Sequence, residues 1–322
     1  MLHIRCGDDI LSRLDDAGLP GAKRRWADPL CEGPVPEGLD GAAFRSLRAG
    51  FVAARCRLDT QTVLDDLTRQ DKGLEQAIGQ DEVVLWFEHD LFDQTVLIHL
   101  LDRLDRIAPG VPLSLICIDR HEGFERFVGL GDLDAGQLGA LFGTRRPVQA
   151  GMVKTARAAL RAFRAPDPSS LVTIIRAGTP ELPFLAAALK RHLQQLPWLR
   201  DGLSLTERRI LEAVAADATT PSAIFRHVQN AEQARWQGDW FQFASMRDLA
   251  SGPAPALHQT GDDWPKGVEF SSTGTGRALL TGQADWFRLN QRERWVGGIH
   301  LPAGAPVWRY AEEEGEPVLS VA

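Results

Sequence analysis

Glu82-Val83-Val84-Leu85-Trp86-Phe87-Glu88-His89-Asp90 is a short, unbroken apolar run that ends abruptly in charge. A run of that length without polar alternation reads as a strand covered on both faces, the habit of a parallel sheet. Downstream, residues 92–107 place Val96, Leu97, Leu100, Leu101 and Leu104 at helical spacing. Pro109-Gly110 breaks that helix, and Leu113-Ser114-Leu115-Ile116-Cys117-Ile118 supplies a second buried strand ending at Asp119. Strand, helix, strand predicts a right-handed crossover. Upstream, Leu2-His3-Ile4-Arg5-Cys6 reads as the first strand, and Ile10, Leu11 and Leu14 as the helix after it. The stretch from Trp26 to Pro36 is a proline- and glycine-marked loop after a short second strand. Residues 41–57 and 59–79 are amphipathic helices, through Phe44, Leu47, Phe51 and Val52 and through Val63, Leu64, Leu67 and Leu74. The expected class is α/β, with an open, mostly parallel, Rossmann-like sheet.

Residues 133–198 read as helical throughout, with no strand needed among them. Beyond Leu199, Ser204-Leu205-Thr206-Glu207 is a capping box opening a helix to Ala216. Ser222–Val228 and Phe241–Ala250 supply two more helices. Leu257–Gln259 and Val268–Ser271 then read as a hairpin, and Thr273–Leu280 as a short helix. Three helices before a β-wing is the winged-helix order. The expected organisation is an α/β sheet domain at 1–148, a helical bridge at 149–200, and a winged-helix-like module at 201–322. Glu312, Glu313, Glu314 and Glu316 read as a frayed acidic tail.

The chain has 322 residues, 44% hydrophobic and 25% charged, with a net charge of −7. That composition is globular and excludes collagen-like or low-complexity classes. An acidic chain lacks the global footprint of a nucleic-acid binder. No apolar run approaches the roughly 20 residues a spanning helix needs, and Met1–Asp8 has no basic region leading into a signal-peptide core. The expected setting is cytoplasmic, with no membrane partner. Cys6, Cys31, Cys56 and Cys117 show neither zinc spacing nor a disulfide pattern. Charge is uneven: residues 151–200 carry 8 basic against 2 acidic side chains, between two acidic regions. The basic island reads as a bridge packed electrostatically against its neighbours, or else as a phosphate-facing surface.

Ligands of open parallel sheets bind beyond the carboxyl ends of the strands. Here those ends carry Asp8 and Asp9, Asp28 and Glu32, then Glu88, His89 and Asp90, and finally Asp119. Clustered carboxylates repel unless a cation or a proton sits among them, and Mg²⁺ is the candidate ion. Asp8, Glu88, His89 and Asp90 are the candidate catalytic groups. Gly7, Asp28, Glu32, Gly33, Arg48, Gln94 and Arg294 are the candidate ligand contacts, with Arg48 and Arg294 as anion forks. Each has a plainer reading. Asp8, Asp9, Asp90 and Asp119 fit helix caps or loop ends, His89 fits local packing, and the arginines fit ion pairs. Trp236, Trp240, Trp264, Trp286 and Trp295 fit a small core better than a base-stacking surface.

Three blocks carry a resemblance. They are His3-Ile4-x-x-Gly7-Asp8 with Trp26-x-Asp28-Pro29-Leu30-Cys31-Glu32-Gly33-Pro34-Val35-Pro36, then Leu85 to Gln94, then Arg294 to Leu301. Together they resemble the bacterial proteins grouped as domain-of-unknown-function family 1835, with its companion C-terminal domain of unknown function. The resemblance implies a shared architecture and no substrate. Where such proteins commonly have Ser after Gly-Asp, this chain has Asp9.

The expected function is an enzyme that binds a phosphorylated or nucleotide-like small molecule at the strand ends. The alternative is a ligand-sensing regulator or adaptor whose C-terminal module contacts protein or DNA. The candidate groove-reading helix around Gly238 to Asp248 carries one Arg and two Asp, which weighs against DNA.

Overall fold

The computed structural model describes residues 1–39 and 41–320. The first half alternates strands and helices: β1 (Leu2–Arg5), α1 (Leu11–Asp16), β2 (Ala22–Arg25), β3 (Gly33–Pro34), α2 (Gly41–Cys56), α3 (Thr60–Glu75), β4 (Val83–Glu88), α4 (Leu91–Ile107) and β5 (Leu113–Ile118). After β5 come α5 (Ala135–Phe142), β6 (Arg146–Pro147), α6 (Ala150–Arg164), α7 (Ser169–Ala177) and α8 (Leu185–Leu193). The principal sheet has the order β2-β1-β4-β5-β6. The first four strands pair in parallel, and β6 pairs antiparallel to β5. β4 is buried along its whole length, as a central strand with helices on both faces must be. Its alternate residues serve two cores. Val83, Leu85 and Phe87 pack with α4, α6 and α8, while Val84 and Trp86 pack with Ile10, Leu14 and Leu138.

β6 is a correction to the all-helical reading of 133–198. Two residues suffice to pair with Ser114 and Leu115, too short a run for any periodicity to register.

The remaining elements are α9 (Leu205–Ala215), α10 (Pro221–Ala231), α11 (Asp239–Leu249), β7 (Leu257–Asp263), β8 (Gly267–Ser272), α12 (Gly274–Leu280) and α13 (Trp286–Asn290). β9 (Arg294–Gly297), β10 (Ile299–Leu301), β11 (Val307–Ala311) and β12 (Glu316–Ser320) close the described chain. Three helices thus precede an antiparallel β7–β8 hairpin. The capping box forms as expected, with Ser204 accepting from the Glu207 N–H and Glu207 accepting from the Ser204 N–H. Leu203, Ile210, Ile224, Met246, Phe270 and Trp286 share a second core.

The C-terminal strands do not join that second core. β9 pairs in parallel with β3, and Val296, Ile299, Leu301, Val307 and Tyr310 pack into the large core of the sheet region. The chain therefore crosses between the two regions twice. The last two positions of the 201–322 segment lie outside the described residues. The acidic tail is not frayed over Glu312–Glu316, because β11 and β12 form a hairpin across it. Arg200 holds Glu312 at 3.1 Å, and Arg176 holds Glu316. The basic island packs as an electrostatic bridge: Arg157 reaches Asp102 and Asp105 at 2.8 Å each, and Arg191 reaches Glu232 at 2.6 Å. No helix among the described residues is long and apolar enough to cross a membrane.

Candidate functional site

β1 and β4 end side by side, and this delivers Arg5 beside Glu88. The Arg5 guanidinium is buried among carboxylates. It donates to Asp93 at 2.5 Å, to Asp9 at 3.1 Å, and to Glu88. Glu88 also accepts the Leu130 N–H at 2.8 Å, and Asp93 accepts the Glu88 N–H at 2.6 Å. Asp90 caps α4 by accepting from the Phe92 and Asp93 N–H groups. Ligand oxygens of Glu88, Asp90 and Asp93 lie within 4.8 Å of one another. Burial raises all three carboxyls. The neighbouring Asp93 charge pushes Glu88 further, to about 8, against the pull of Arg5. One guanidinium among so many carboxylates leaves room for a proton shared within the cluster.

This cluster is closed. Arg5 and Asp93 are each 4% exposed, and Glu88 and Asp90 each 6%. The Gly129-Leu130-Gly131 segment lies directly over it. A Cβ at Gly129 would sit 2.4 Å from the Glu88 carboxylate, so only glycine allows that approach. Three carboxylates are the right donor type for Mg²⁺. The fit fails on occupancy: Arg5 already engages the Glu88 and Asp93 carboxylates, and one Asp90 oxygen is taken by the helix amides. Of the four groups favoured from the sequence for catalysis, Glu88 and Asp90 are brought together, in a largely buried ion network with Arg5, Asp9 and Asp93. Asp8 lies outside it, exposed, with its carbonyl accepting the Leu11 N–H. His89 is half-buried against the edge of Phe184, and burial lowers its pKa. Asp119 pairs with exposed Arg120 at 3.0 Å.

Arg48 is likewise spent. It is fully buried and donates to Asp28 at 2.7 and 3.0 Å, and to the carbonyls of Pro29, Glu32 and Pro34. All five N–H groups have acceptors, so Arg48 clamps the 28–34 loop and has none left for an anion. Gln94 donates to the Glu88 carbonyl at 2.6 Å and to the Cys117 sulfur at 3.3 Å, which ties β4 to β5. Gly7 adopts φ +104° in the turn after β1.

The loop that Arg48 clamps forms one wall of an open cleft of about 440 Å³. Glu32 and Gly33 stand on that wall, and Arg294 stands on β9 opposite. Gly33 has φ +68°, and a Cβ there would lie 2.3 Å from the Phe51 ring, so the loop needs glycine twice over. α2 adds Phe51 and Arg55, the start of α9 adds Ser204 and Glu207, and α11 adds Ser245 and Asp248. Arg292, Glu293 and Trp295 add to it from the segment leading into β9. The cleft therefore lies where the sheet region meets the second core.

Its guanidiniums are more numerous and more open than the one in the buried cluster. Arg294 forks onto Glu207 at 2.6 and 3.0 Å. Arg55 and Arg292 both turn to a single carboxylate, Asp248, with Arg292 at 3.1 Å. Their remaining donors reach only the hydroxyls of Ser245 (3.4 Å) and Ser251 (2.7 Å). Burial raises the Glu32 carboxyl, which accepts from Gln237 at 2.5 Å. Three guanidiniums thus share the cleft with the carboxyl groups of Glu32, Glu207, Asp248 and Glu293, and each guanidinium remains partly exposed. Arg55, Arg292 and Asp248 escaped the sequence reading because no spacing links α2, α11 and the 292–296 segment. Glu207 was visible only as a cap. No protein-family model matches the chain, and no curated protein matches it.

Proposed function

We propose that the protein binds a phosphorylated, nucleotide-sized small molecule in the cleft between the sheet region and the second core. The carrying observation is that Arg55 and Arg292 share Asp248, leaving guanidinium capacity without a carboxylate partner. Arginine presents a planar fork suited to phosphate. The volume of about 440 Å³ falls within the usual range for ligand sites. Phe51 and Trp295 offer ring faces for the apolar or planar part of such a molecule. As an enzyme, the protein would use Glu32 as proton donor, since burial holds its carboxyl toward the acid form beside the anion site. The strand-end location expected for the ligand moves, on this reading, to the far side of the Cys31–Gly33 loop. The resemblance to domain-of-unknown-function family 1835 remains a proposal resting on its three sequence blocks, and so does a Rossmann-like relation for the sheet.

The test is calorimetric titration with inorganic phosphate and with nucleoside mono- and diphosphates. Heat of binding that is lost in Arg55→Ala and Arg292→Ala but kept in Asp90→Asn supports the cleft. Binding that survives both arginine changes, or no binding at all, overturns it.

The order of α9, α10, α11 and the β7–β8 hairpin favours a second reading, a winged-helix-like regulator. In that reading α11 would enter a DNA groove. However, α11 packs on α2 through Phe51 and Phe241 (rings 6.2 Å apart), and the Arg247 guanidinium bonds the Arg55 carbonyl at 2.7 Å. A helix so engaged favours a scaffold role that completes the cleft over a nucleic-acid role.

A further inference from the structure

Asp248 lies in the last turn of α11, between two arginines that come from other parts of the chain. One carboxylate oxygen accepts from Arg55 on α2, and the other accepts from Arg292 at 3.1 Å. Ser245 and Ser251 stand beside it. Their hydroxyls accept a further N–H each, from Arg55 at 3.4 Å and from Arg292 at 2.7 Å. Two guanidiniums and two hydroxyls thus surround one carboxylate, which is the shell a bound oxyanion would have.

The hold on Asp248 is shallow. Its side chain is 37% exposed, and those of Arg55 and Arg292 are 24% and 31% exposed. Ion pairs that reach water are weak, because solvent competes for both partners. Among the described residues the Asp248 carboxylate bonds only these two arginines. The other acids of the cleft are tied elsewhere. Glu207 closes the α9 capping box as well as holding Arg294, Glu32 accepts from Gln237, and Glu293 bonds His300 at 2.8 Å. A phosphate monoester brings nearly two negative charges and three terminal oxygens, against one charge and two oxygens for a carboxylate. It can therefore take both guanidiniums from Asp248.

We infer that Asp248 is a placeholder: it occupies the seat of the ligand's phosphate and swings out when that phosphate binds. The inference rests on the cleft being the phosphate site, and adds that the site gates itself. Apparent affinity is lowered by the fraction of molecules in which Asp248 still holds its arginines. α11 packs into the second core through Phe243, Met246 and Leu249, whereas α2 packs beside the sheet through Phe44. Binding therefore exchanges an ion pair between the two regions for one to the ligand.

Calorimetric titration of the wild-type protein and Asp248→Asn with inorganic phosphate and with adenosine monophosphate tests the inference. Asparagine keeps the size of the side chain and removes its charge. Both probes should bind about three- to tenfold tighter to the variant. The factor should be the same for both, because it belongs to the protein and not to the ligand. Asp248→Ser should act in the same direction. Glu293→Gln removes one negative charge from the same cleft at a carboxyl that engages a histidine, so its gain should be smaller. Unchanged or weaker binding in both Asp248 variants would show that Asp248 orients the arginines and does not block them. An equal gain in Glu293→Gln would assign the effect to overall charge. Either result overturns the placeholder and leaves the phosphate cleft standing. If neither probe binds the wild type or the Asp248 variants, with melting temperatures retained, the cleft reading itself fails and the placeholder falls with it.

Discussion

The buried cluster at Arg5 and the open cleft at Arg55 and Arg292 are built from the same two chemical groups in different proportions and with different access to solvent. At the strand ends, carboxylates outnumber the one guanidinium, all but Asp9 are buried, and burial raises the carboxyls of Glu88, Asp90 and Asp93 toward their protonated forms. In the cleft, three guanidiniums stand among four carboxyl groups, solvent has access, and two of the guanidiniums share the single carboxylate of Asp248. The difference teaches that acidic residues at strand ends do not by themselves make a site. Access and charge count decide between a structural network and a receptive one.

Arg5→Ala breaks this comparison hardest. It strands buried carboxylates without their cation, and the expected loss is about 3–5 kcal/mol of unfolding free energy in urea titration. A loss under about 1 kcal/mol would show that the cluster is hydrated and open after all. Gly33→Ala comes next. A left-handed backbone and the Phe51 ring both oppose the new methyl group, at an expected cost of about 1–3 kcal/mol. Binding of phosphate compounds should fall in the same variant, because the cleft wall moves.

Arg55→Ala and Arg292→Ala each address affinity more than stability. The expected loss is about tenfold for phosphate-bearing ligands, read by calorimetry, with little change in melting temperature.

The proton on Glu88 gives a pH signature of defined sign. Its folded value of about 8 stands above its ordinary 4.5. The unfolded chain therefore releases the proton first as pH rises. Stability contributed by this group is complete below the unfolded value and declines between the two values. The expected slope is at most about 1 kcal/mol per pH unit, and it flattens above the folded value. Glu88→Gln should remove it, as measured by urea unfolding across that range. A slope unchanged in the variant would place the proton elsewhere. The smallest effect expected is that of Asp90→Asn. Asparagine also caps helices, so stability should change by only a few tenths of a kcal/mol, and ligand binding should be unaffected.

The sheet was legible because β4, β5 and α4 carry their period and their stops locally. The capping box at Ser204 was legible for the same reason, since both partners lie within one turn. β3 and β6 were not, because a two-residue strand exists only through the partner it pairs with. Of the candidate residues, Glu32, Gly33 and Arg294 were brought to one cleft, although they come from a loop and from a strand far along the chain. Arg48 was visible as a cation, but its five acceptors in and beside the 28–34 loop were not. Glu88 and Asp90 were visible as acids, whereas Arg5, the group that organises them, sits inside a strand and shows no motif.

The amino-acid order alone determined the longer strands and helices of the sheet region, because hydrophobic period, caps and breakers act over a few residues, whereas β3 and β6 needed their partners. It also determined that acidic groups would end the parallel strands. Only the tertiary structure decided which charges met and which faced solvent. Ion pairing and burial are set by distances between residues remote in sequence, such as Arg55 with Asp248 and Arg294 with Glu207. Those distances exist only once both cores have formed and β9 has returned to pair with β3.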